Sequence, residues 1–282
     1  MEHDWVLYIA AFSTAFAISN VMTPVAKKIS LKLGAMDMPK ARGMHKKPMP
    51  RMGGIAIVAG FTLTVLLLYN FTEYSDMHKL TGYFIGAAMI VVLGMVDDVK
   101  NLPAKFKFAV QILAALVAVA FGIRIHIVMW PVTYALLKLS IPITVIWIVG
   151  LTNAVNLIDG LDGLATGVSS IAAICIMVLC ILTGDETSVV LTAALAGSCL
   201  GFLPRNFNPA EIFMGDTGAT FLGYTLAVTS ILGVFKGYAM IALMVSVLAV
   251  GFPIFDTLFA MTRRAARHQP IMQADRGHLH HK

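Results

Sequence analysis

Hydrophobic residues fall along this chain in long blocks rather than at isolated positions. Apolar runs cover residues 5 to 25, 52 to 70, 80 to 96, 107 to 123, 140 to 157, 162 to 182, 187 to 203, 217 to 235 and 238 to 260, each near the length that crosses a bilayer. Hydrocarbon offers a backbone no hydrogen-bond partner, so such runs fold as helices that satisfy their own N–H and C=O groups. The pattern predicts an all-α, polytopic transmembrane helical bundle of about nine spans. No internal repeat, low-complexity tract or soluble domain interrupts it, and residues 1–282 read as a single integral membrane domain.

Composition agrees, at 58% hydrophobic and 13% charged residues. The opening "MEHDWVLYIAAF" has acids before its apolar run and no basic segment, which reads as a retained first span rather than a cleaved signal. Cys175, Cys180 and Cys199 lie inside apolar runs at spacings that fit neither a CxxC nor a zinc ribbon, and read as buried, inert thiols. The pairs Gly82 and Gly86, Gly163 and Gly167, and Gly197 and Gly201 fit close helix packing.

Charge adds orientation. Of the 21 Lys and Arg residues, 17 lie in the connections around 26 to 51, 97 to 107 and 204 to 216 or in the tail from Arg263. The opposite side holds Lys79, Arg124, Lys138 and Lys236. The positive-inside rule therefore places the first set in the cytoplasm, with the N-terminus outside and the C-terminal end inside. The net charge of +6 belongs to one face, where it attracts anionic headgroups or anionic soluble substrates. It does not argue for nucleic acid, because polytopic proteins in general have a basic inner face.

The acids sharpen this picture. Asp97, Asp98, Asp159, Asp162, Asp216 and Asp256 sit at span ends, and on this topology all those ends are cytoplasmic. A pump or ion-coupled transporter places carboxylates in mid-span, along a pathway. A ring of acids at one interface instead suits a site that meets a soluble substrate and a lipid headgroup together. A non-catalytic scaffold leaves the ring unexplained.

Three stretches carry the chemistry. In "GMVDDVKNLPAKFKF" an apolar helix ends at Asp97 and Asp98, and Pro103 fits the opening of the next helix. Adjacent carboxylates repel, so the pair favours a nearby cation, either a metal or Lys100 and Lys105; the alternative is a solvated turn. In "NAVNLIDGLDGLATG" the polar positions Asn153, Asn156, Asp159 and Asp162 are spaced by three, and Gly160 and Gly163 predict an interrupted helix. An interruption at membrane depth is tolerated where it lines a cavity; a capped polar loop is the alternative. In "PRNFNPAEIFMGDTGATFLG" Gly215 and Gly218 flank Asp216 and Thr217 ahead of an apolar helix. Glycines there allow a backbone to approach phosphate, and Asp216 suits Mg²⁺, which takes one or two carboxylates plus phosphate oxygens, although it also suits a simple N-cap. Phe213 is placed to stack on a base or to anchor at the interface.

Two basic stretches complete the inner face. "DMPKARGMHKKPMPRMGG" contains Lys40, Arg42, His45, Lys46, Lys47 and Arg51, and "TRRAARHQPIMQADRGHLHHK" gathers His278, His280 and His281 beside Arg276. Inner-face anchoring explains most of these charges. The histidines lack a partner of standard zinc spacing, which favours phosphate binding over zinc.

Carboxylates for a divalent cation, glycine turns for phosphate, and Arg and His for charge imply phosphoryl transfer between a nucleotide and a membrane lipid. Asp97-Asp98, "NAVNLIDGLDGLA", "FMGDTG" and "RGHLHH" resemble, in order and topology, the polyprenyl-phosphate N-acetylhexosamine-1-phosphate transferases of glycosyltransferase family 4, and the first basic stretch resembles their first cytoplasmic loop. The resemblance implies an enzyme of the bacterial plasma membrane with its active site on the cytoplasmic face. In the implied reaction, undecaprenyl phosphate attacks the β-phosphorus of a UDP-N-acetylhexosamine, giving undecaprenyl-diphospho-sugar and UMP. Mg²⁺ is the implied cofactor, with Mn²⁺ an admissible substitute.

Residue by residue, the resemblance makes Asp216 a metal ligand and Asn156 a second position near the metal. Asp97 and Asp98 match the acidic pair to which deprotonation of the lipid phosphate is assigned. Asp159, Asp162, Asn206 and Phe213 match the nucleotide pocket, Lys46 and His45 the basic loop, and His278, His280 and His281 the histidine motif near the diphosphate. "MPRMGG" and "HLHH" replace the Thr-Pro-Thr-Met-Gly-Gly and triple histidine of the peptidoglycan branch. They point to the N-acetylglucosamine branch, which starts teichoic acid, O-antigen or related polysaccharides; phospho-MurNAc-pentapeptide transfer from UDP-MurNAc-pentapeptide in peptidoglycan synthesis is the runner-up. Members of the family continue past the histidine motif into one or two more spans, which this sequence does not include. A homodimer is compatible with the chain.

Overall fold

The computed structural model describes residues 4–38, 48–68, 71, 76–125 and 133–233, with the side chains of 133–138 outside that description. Eight helices occur among the described residues: α1 Trp5–Leu33, α2 Gly54–Leu67, α3 Met77–Lys100, α4 Ala104–Ala120, α5 Thr133–Ile158, α6 Leu164–Thr183, α7 Glu186–Asn206 and α8 Gly215–Gly233. One short ladder accompanies them, β1 Met36–Asp37 antiparallel to β2 Met49–Pro50, with Met36 opposite Pro50 and Asp37 opposite Met49.

Five segments are long and apolar enough to cross a membrane: Trp5–Leu33, Met77–Lys100, Leu139–Ile158, Leu164–Thr183 and Glu186–Asn206. The protein is thus a multi-pass membrane protein. The expected runs at 52 to 70, 107 to 123 and 217 to 235 appear as α2 (14 residues), α4 (17) and α8 (19), while the ninth, 238 to 260, lies outside the described residues. α8 falls short in apolarity for a physical reason. Nearly all its residues from Thr217 to Ile231 are buried by protein, so its threonines and glycines need not face hydrocarbon.

α7 and α8 form the core. α7 packs against α1, α2 and α6, and α8 against α3, α5, α6 and α2, with α4 lying outside on α3 and α5. Small residues allow this closeness. A Cβ on Gly197 would strike the carbonyl of Phe12, and one on Gly201 the carbonyl of Phe16, so these two glycines seat α7 on α1. Gly82 and Gly86 likewise admit Phe121 and the Tyr224 hydroxyl. Of the expected Gly163 and Gly167 pair only the first lies close to a neighbour, a Cβ there coming within 3.1 Å of the Phe207 ring and 3.3 Å of its Cα. Gly163 is needed for its left-handed backbone (φ 72°) ahead of α6, and a Cβ on Gly167 would meet nothing within 4 Å. The outward faces carry exposed Val6, Ile9, Val21, Ile146, Ile171 and Leu182, a surface suited to lipid rather than water.

The chain alternates direction, so the C-terminal ends of α1, α3, α5 and α7 share one end of the bundle with the N-terminal ends of α2, α4, α6 and α8. Acids at the opposite end have local duties. Asp4, Asp76 and Asp185 cap α1, α3 and α7 by accepting from the N–H groups of Leu7 (3.0 Å), Lys79 (3.1 Å) and Ser188 (3.2 Å). Hydrogen bonds from Lys79 also hold the Asp76 carboxyl below its ordinary value. The remaining end carries Asp97, Asp98, Asp159, Asp162 and Asp216.

Candidate active site

The stretch "FMGDTG" is fastened before α8 begins. Phe213 N–H donates to the Pro50 carbonyl (2.8 Å), while Gly53 N–H donates to Phe213 (2.9 Å) and Gly54 N–H to Met214 (2.8 Å). The backbone then turns at Gly215 with φ 72°, where a Cβ would collide with the Arg51 carbonyl and approach the Asp98 carboxylate at 2.7 Å. Only glycine fits on both counts.

Asp98 meets the opening of α8 from α3. Its Oδ1 accepts from Asp216 N–H (2.9 Å), and its Oδ2 accepts from Thr217 N–H (3.1 Å) and the Thr217 hydroxyl (2.6 Å). The two N–H groups are backbone donors that a helix start otherwise leaves unsatisfied. Arg51 closes the other end of the contact. Its guanidinium donates to the carbonyls of Asp98 (2.9 Å) and Asp97 (2.9 Å) and to Asn101 Oδ1 (2.9 Å), and lies 3.5 Å from Asp98 Oδ1.

Asp97, the next residue along α3, points elsewhere because successive helical positions are about 100° apart. Its Oδ1 accepts from Leu102 N–H (2.6 Å), and its Oδ2 receives the Lys107 ammonium (2.9 Å). The same ammonium donates to Asp216 Oδ2 at 2.8 Å. The carboxyls of Asp97 and Asp216 are also within hydrogen-bonding reach of each other, and the Asn156 amide hydrogen-bonds Asp216. Four helices, α3, α4, α5 and α8, therefore contribute one polar side chain each to a single cluster. One turn deeper, Gln111 Oε1 accepts from Asn153 at 2.6 Å, joining α4 to α5 beneath Lys107 and Asn156.

Asp159 lies in the turn after α5, where the interruption expected from Gly160 and Gly163 separates α5 from α6. Burial, reinforced by the charges of Asp216, Asp98 and Asp162, pushes its carboxyl up to about 8. Asp162 accepts from Ala210 N–H (3.0 Å), tying this turn to the 207–214 loop. Asn206 is buried, with Oδ1 accepting from the Thr166 hydroxyl (2.7 Å) and Nδ2 donating to the Ile212 carbonyl (3.1 Å). Its amide thus ties α6 to the loop that presents the half-buried Phe213. His45, Lys46, Arg276, His278, His280 and His281 lie outside the described residues.

The cluster's donors suit a hard divalent cation. Asp97 and Asp216 present carboxylate oxygens on facing helices, with one ammonium to balance them and the Asn156 amide beside Asp216. Among the described residues no three His, Cys, Asp or Glu side chains form a complete cage. Mg²⁺ fits such an open donor set, because it keeps waters or substrate phosphates for its remaining positions.

Lys107 was not among the cations expected to balance the acidic pair. Lys100 and Lys105 held that place, yet both are exposed and the inward position in "AKFKF" is Lys107. Its signal was helical phase: Lys107 and Gln111 share a face of α4, and Lys105 lies about 200° from Lys107. Arg51 was assigned to inner-face anchoring, and its contacts with the end of α3 have no sequence signature.

Two membrane-spanning helices, α3 and α5, and their neighbours α4 and α8 bring acids, an amide and a lysine together at one end, and sequence relatives give the class, a membrane glycosyltransferase. The profile of glycosyl transferase family 4 matches residues 80–234, more than half of the chain, and the chain belongs to that family. It is 40% identical over 285 residues to a Bacillus subtilis protein named "Probable undecaprenyl-phosphate N-acetylglucosaminyl 1-phosphate transferase", covering 100% of this chain and 78% of that one. It is 34% identical over 305 residues to the decaprenyl-phosphate N-acetylglucosaminephosphotransferase of Mycolicibacterium smegmatis (95% and 73% covered). It is also 30% identical over 268 residues to the phospho-N-acetylmuramoyl-pentapeptide-transferase of Staphylococcus carnosus (86% and 83% covered).

Proposed function

We propose that this protein transfers N-acetylglucosamine 1-phosphate from UDP-N-acetylglucosamine to undecaprenyl phosphate, releasing UMP and starting a cell-envelope polysaccharide such as teichoic acid. The observation that carries the reading is the Lys107 ammonium shared between Asp97 and Asp216, 2.9 and 2.8 Å away, at the end of the bundle where Asn156 and Asp159 also lie. The names of the Bacillus and Mycolicibacterium relatives support the donor sugar, since they share more of this sequence than the Staphylococcus protein does.

In the reaction, an oxygen of undecaprenyl phosphate attacks the β-phosphorus of the nucleotide sugar. The bond from that phosphorus to the UMP oxygen breaks, and UMP leaves with the electron pair. Asp97 is the carboxylate that faces the cluster and can take a proton from the lipid phosphate as it approaches. Lys107 donates to phosphate oxygens whose charge rises during transfer. Asp216 and Asn156 would hold Mg²⁺ or Mn²⁺, with Asp97 across from them, and the bound ion supplies charge neutralisation. Asp159 and Asp162 line the nucleotide side of the turn, and Phe213 offers its ring to the base. His45, Lys46, Arg276, His278, His280 and His281 bring positive charge to the diphosphate. The chain acts as one membrane domain of nine spans, with its N-terminus outside and this cluster at the cytoplasmic face.

The test is UMP release by purified protein given undecaprenyl phosphate, Mg²⁺ and a panel of UDP-sugars. UMP is expected with UDP-N-acetylglucosamine and not with UDP-MurNAc-pentapeptide, and Asp216→Ala is expected to abolish it while leaving the thermal unfolding transition in place. Release with the pentapeptide donor alone would move the protein to the peptidoglycan reaction. No release with any donor would remove the assignment.

A further inference from the structure

The resemblance treats Asp97 and Asp98 as one acidic pair concerned with proton removal, but the two carboxylates have different surroundings. Asp97 shares the Lys107 ammonium with Asp216. Asp98 is turned away into protein, its side chain about 1% exposed, and both its oxygens already accept hydrogen bonds. Its three donors all belong to Asp216 and Thr217, the residues that begin α8.

We infer that Asp98 is a positioning residue, and that with Arg51 it forms a clasp which sets the start of α8 and so aims Asp216 at the cluster. This inference rests on the proposed transferase reading for its kinetic consequences, though not for its geometry. Arg51 occupies the two carbonyls at the end of α3 and Asn101, which keeps the Asp98 side of that helix end against α8. Gly215 is the third part. Its lack of a Cβ leaves room for the Arg51 carbonyl and the Asp98 oxygens together.

The role predicts a set of matched defects. Asp98→Asn puts an NH₂ group among three donors, and Gly215→Ala forces the same turn apart from the other side. Each should lower kcat for UMP release by about 100-fold, the cost expected when a reacting group is misplaced by about 1 Å. Because both break one clasp, the double variant should be no slower than the slower single variant. Arg51→Lys keeps the charge but not the fork, and should give a smaller loss of kcat.

The kinetic test measures kcat against pH for wild type, Asp97→Asn, Asp98→Asn, Gly215→Ala and Arg51→Lys in detergent with undecaprenyl phosphate and UDP-N-acetylglucosamine. A positioning role predicts that Asp98→Asn and Gly215→Ala keep the wild-type shape of the pH profile at reduced height. Loss of the acidic limb in Asp98→Asn, with Gly215→Ala unaffected, would overturn it and make Asp98 the proton acceptor. A second readout needs no turnover. Amide hydrogen exchange at Asp216 and Thr217 should be protected in wild type, faster in Asp98→Asn and intermediate in Arg51→Lys. Unchanged protection would reject the clasp, whereas a wild type that releases no UMP from any donor yet shows this exchange pattern would reject only the transferase reading.

Discussion

The Lys107 ammonium lies 2.8 Å from Asp216 and 2.9 Å from Asp97, so a single cation from α4 joins carboxylates on α3 and α8. Without it, two acids within hydrogen-bonding reach of each other would repel. Lys107→Met is therefore expected to lower kcat/KM for UMP release by about 100-fold or more, the usual cost of losing a donor to a charged transition state. Thermal unfolding with and without Mg²⁺ gives a separate check. Added Mg²⁺ should raise the Tm of Lys107→Met more than that of wild type, because the ion then supplies the missing positive charge. Equal Mg²⁺ responses in the two proteins would show that Lys107 does not share the acids' charge with the metal.

Asp159 sets a pH dependence whose sign is fixed by where its proton is held. Burial and the neighbouring acids raise its carboxyl to about 8 in the folded protein, against about 3.9 in an unfolded chain. Between those values the unfolded state has lost the proton while the folded state retains it. Stability from this group is present in full below the lower value and falls as pH rises toward the upper one. Ligand-free protein should thus unfold more easily at pH 8 than at pH 5, and Asp159→Asn should flatten that slope. Identical slopes for wild type and variant would mean that another group titrates.

The positions of the acids were legible because a carboxylate stands out in an apolar run, and Asp97, Asp98, Asp159, Asp162 and Asp216 do gather at one end of the bundle. What each acid does was not legible. Asp97 and Asp98 are adjacent in sequence but face α4 and α8 respectively, a division that depends on which helices lie on either side of α3. Lys105 and Lys107 present a similar ambiguity in α4, for which the one sequence signal is the helical phase that Lys107 shares with Gln111. The run at 217 to 235 was visible as a helix, but its place in the core was not. Its hydropathy resembles that of a marginal span, while its neighbours α3, α5 and α6 enclose it.

Asn206 shows how a residue matched to a nucleotide pocket can act through a loop. Its buried amide links Thr166 on α6 to the Ile212 carbonyl, next to Phe213. Asn206→Ala leaves a buried hydroxyl and a buried carbonyl without this partner, a loss of about 1–3 kcal/mol in stability. It should also raise KM for the nucleotide sugar more than it lowers kcat, since the loop loosens and the Asp97, Lys107 and Asp216 cluster stays in place. Asn206→Asp separates the two contacts. It retains an acceptor for Thr166 but sets an oxygen against the Ile212 carbonyl, so its KM should resemble that of the alanine variant. Wild-type KM in Asn206→Asp would show that the Ile212 contact does not govern the loop.

Gly201 and Gly167 share a sequence context of small residues in apolar helices, yet their surroundings predict opposite responses to alanine. On α7, a Cβ at Gly201 would strike the Phe16 carbonyl, a backbone atom that cannot rotate aside. Gly201→Ala must push α1 from α7 and should cost about 1–3 kcal/mol, as overpacking does elsewhere. On α6, a Cβ at Gly167 would meet nothing within 4 Å, and the residue's helical backbone accepts any side chain. Gly167→Ala should leave the fold intact and add roughly 0.5–1 kcal/mol through reduced freedom of the unfolded chain. Midpoints of thermal unfolding for the two variants in one detergent make the comparison. A lower midpoint for Gly201→Ala together with an unchanged or higher one for Gly167→Ala is the expected result, and the reverse order would contradict the α1 and α7 packing from which it is derived.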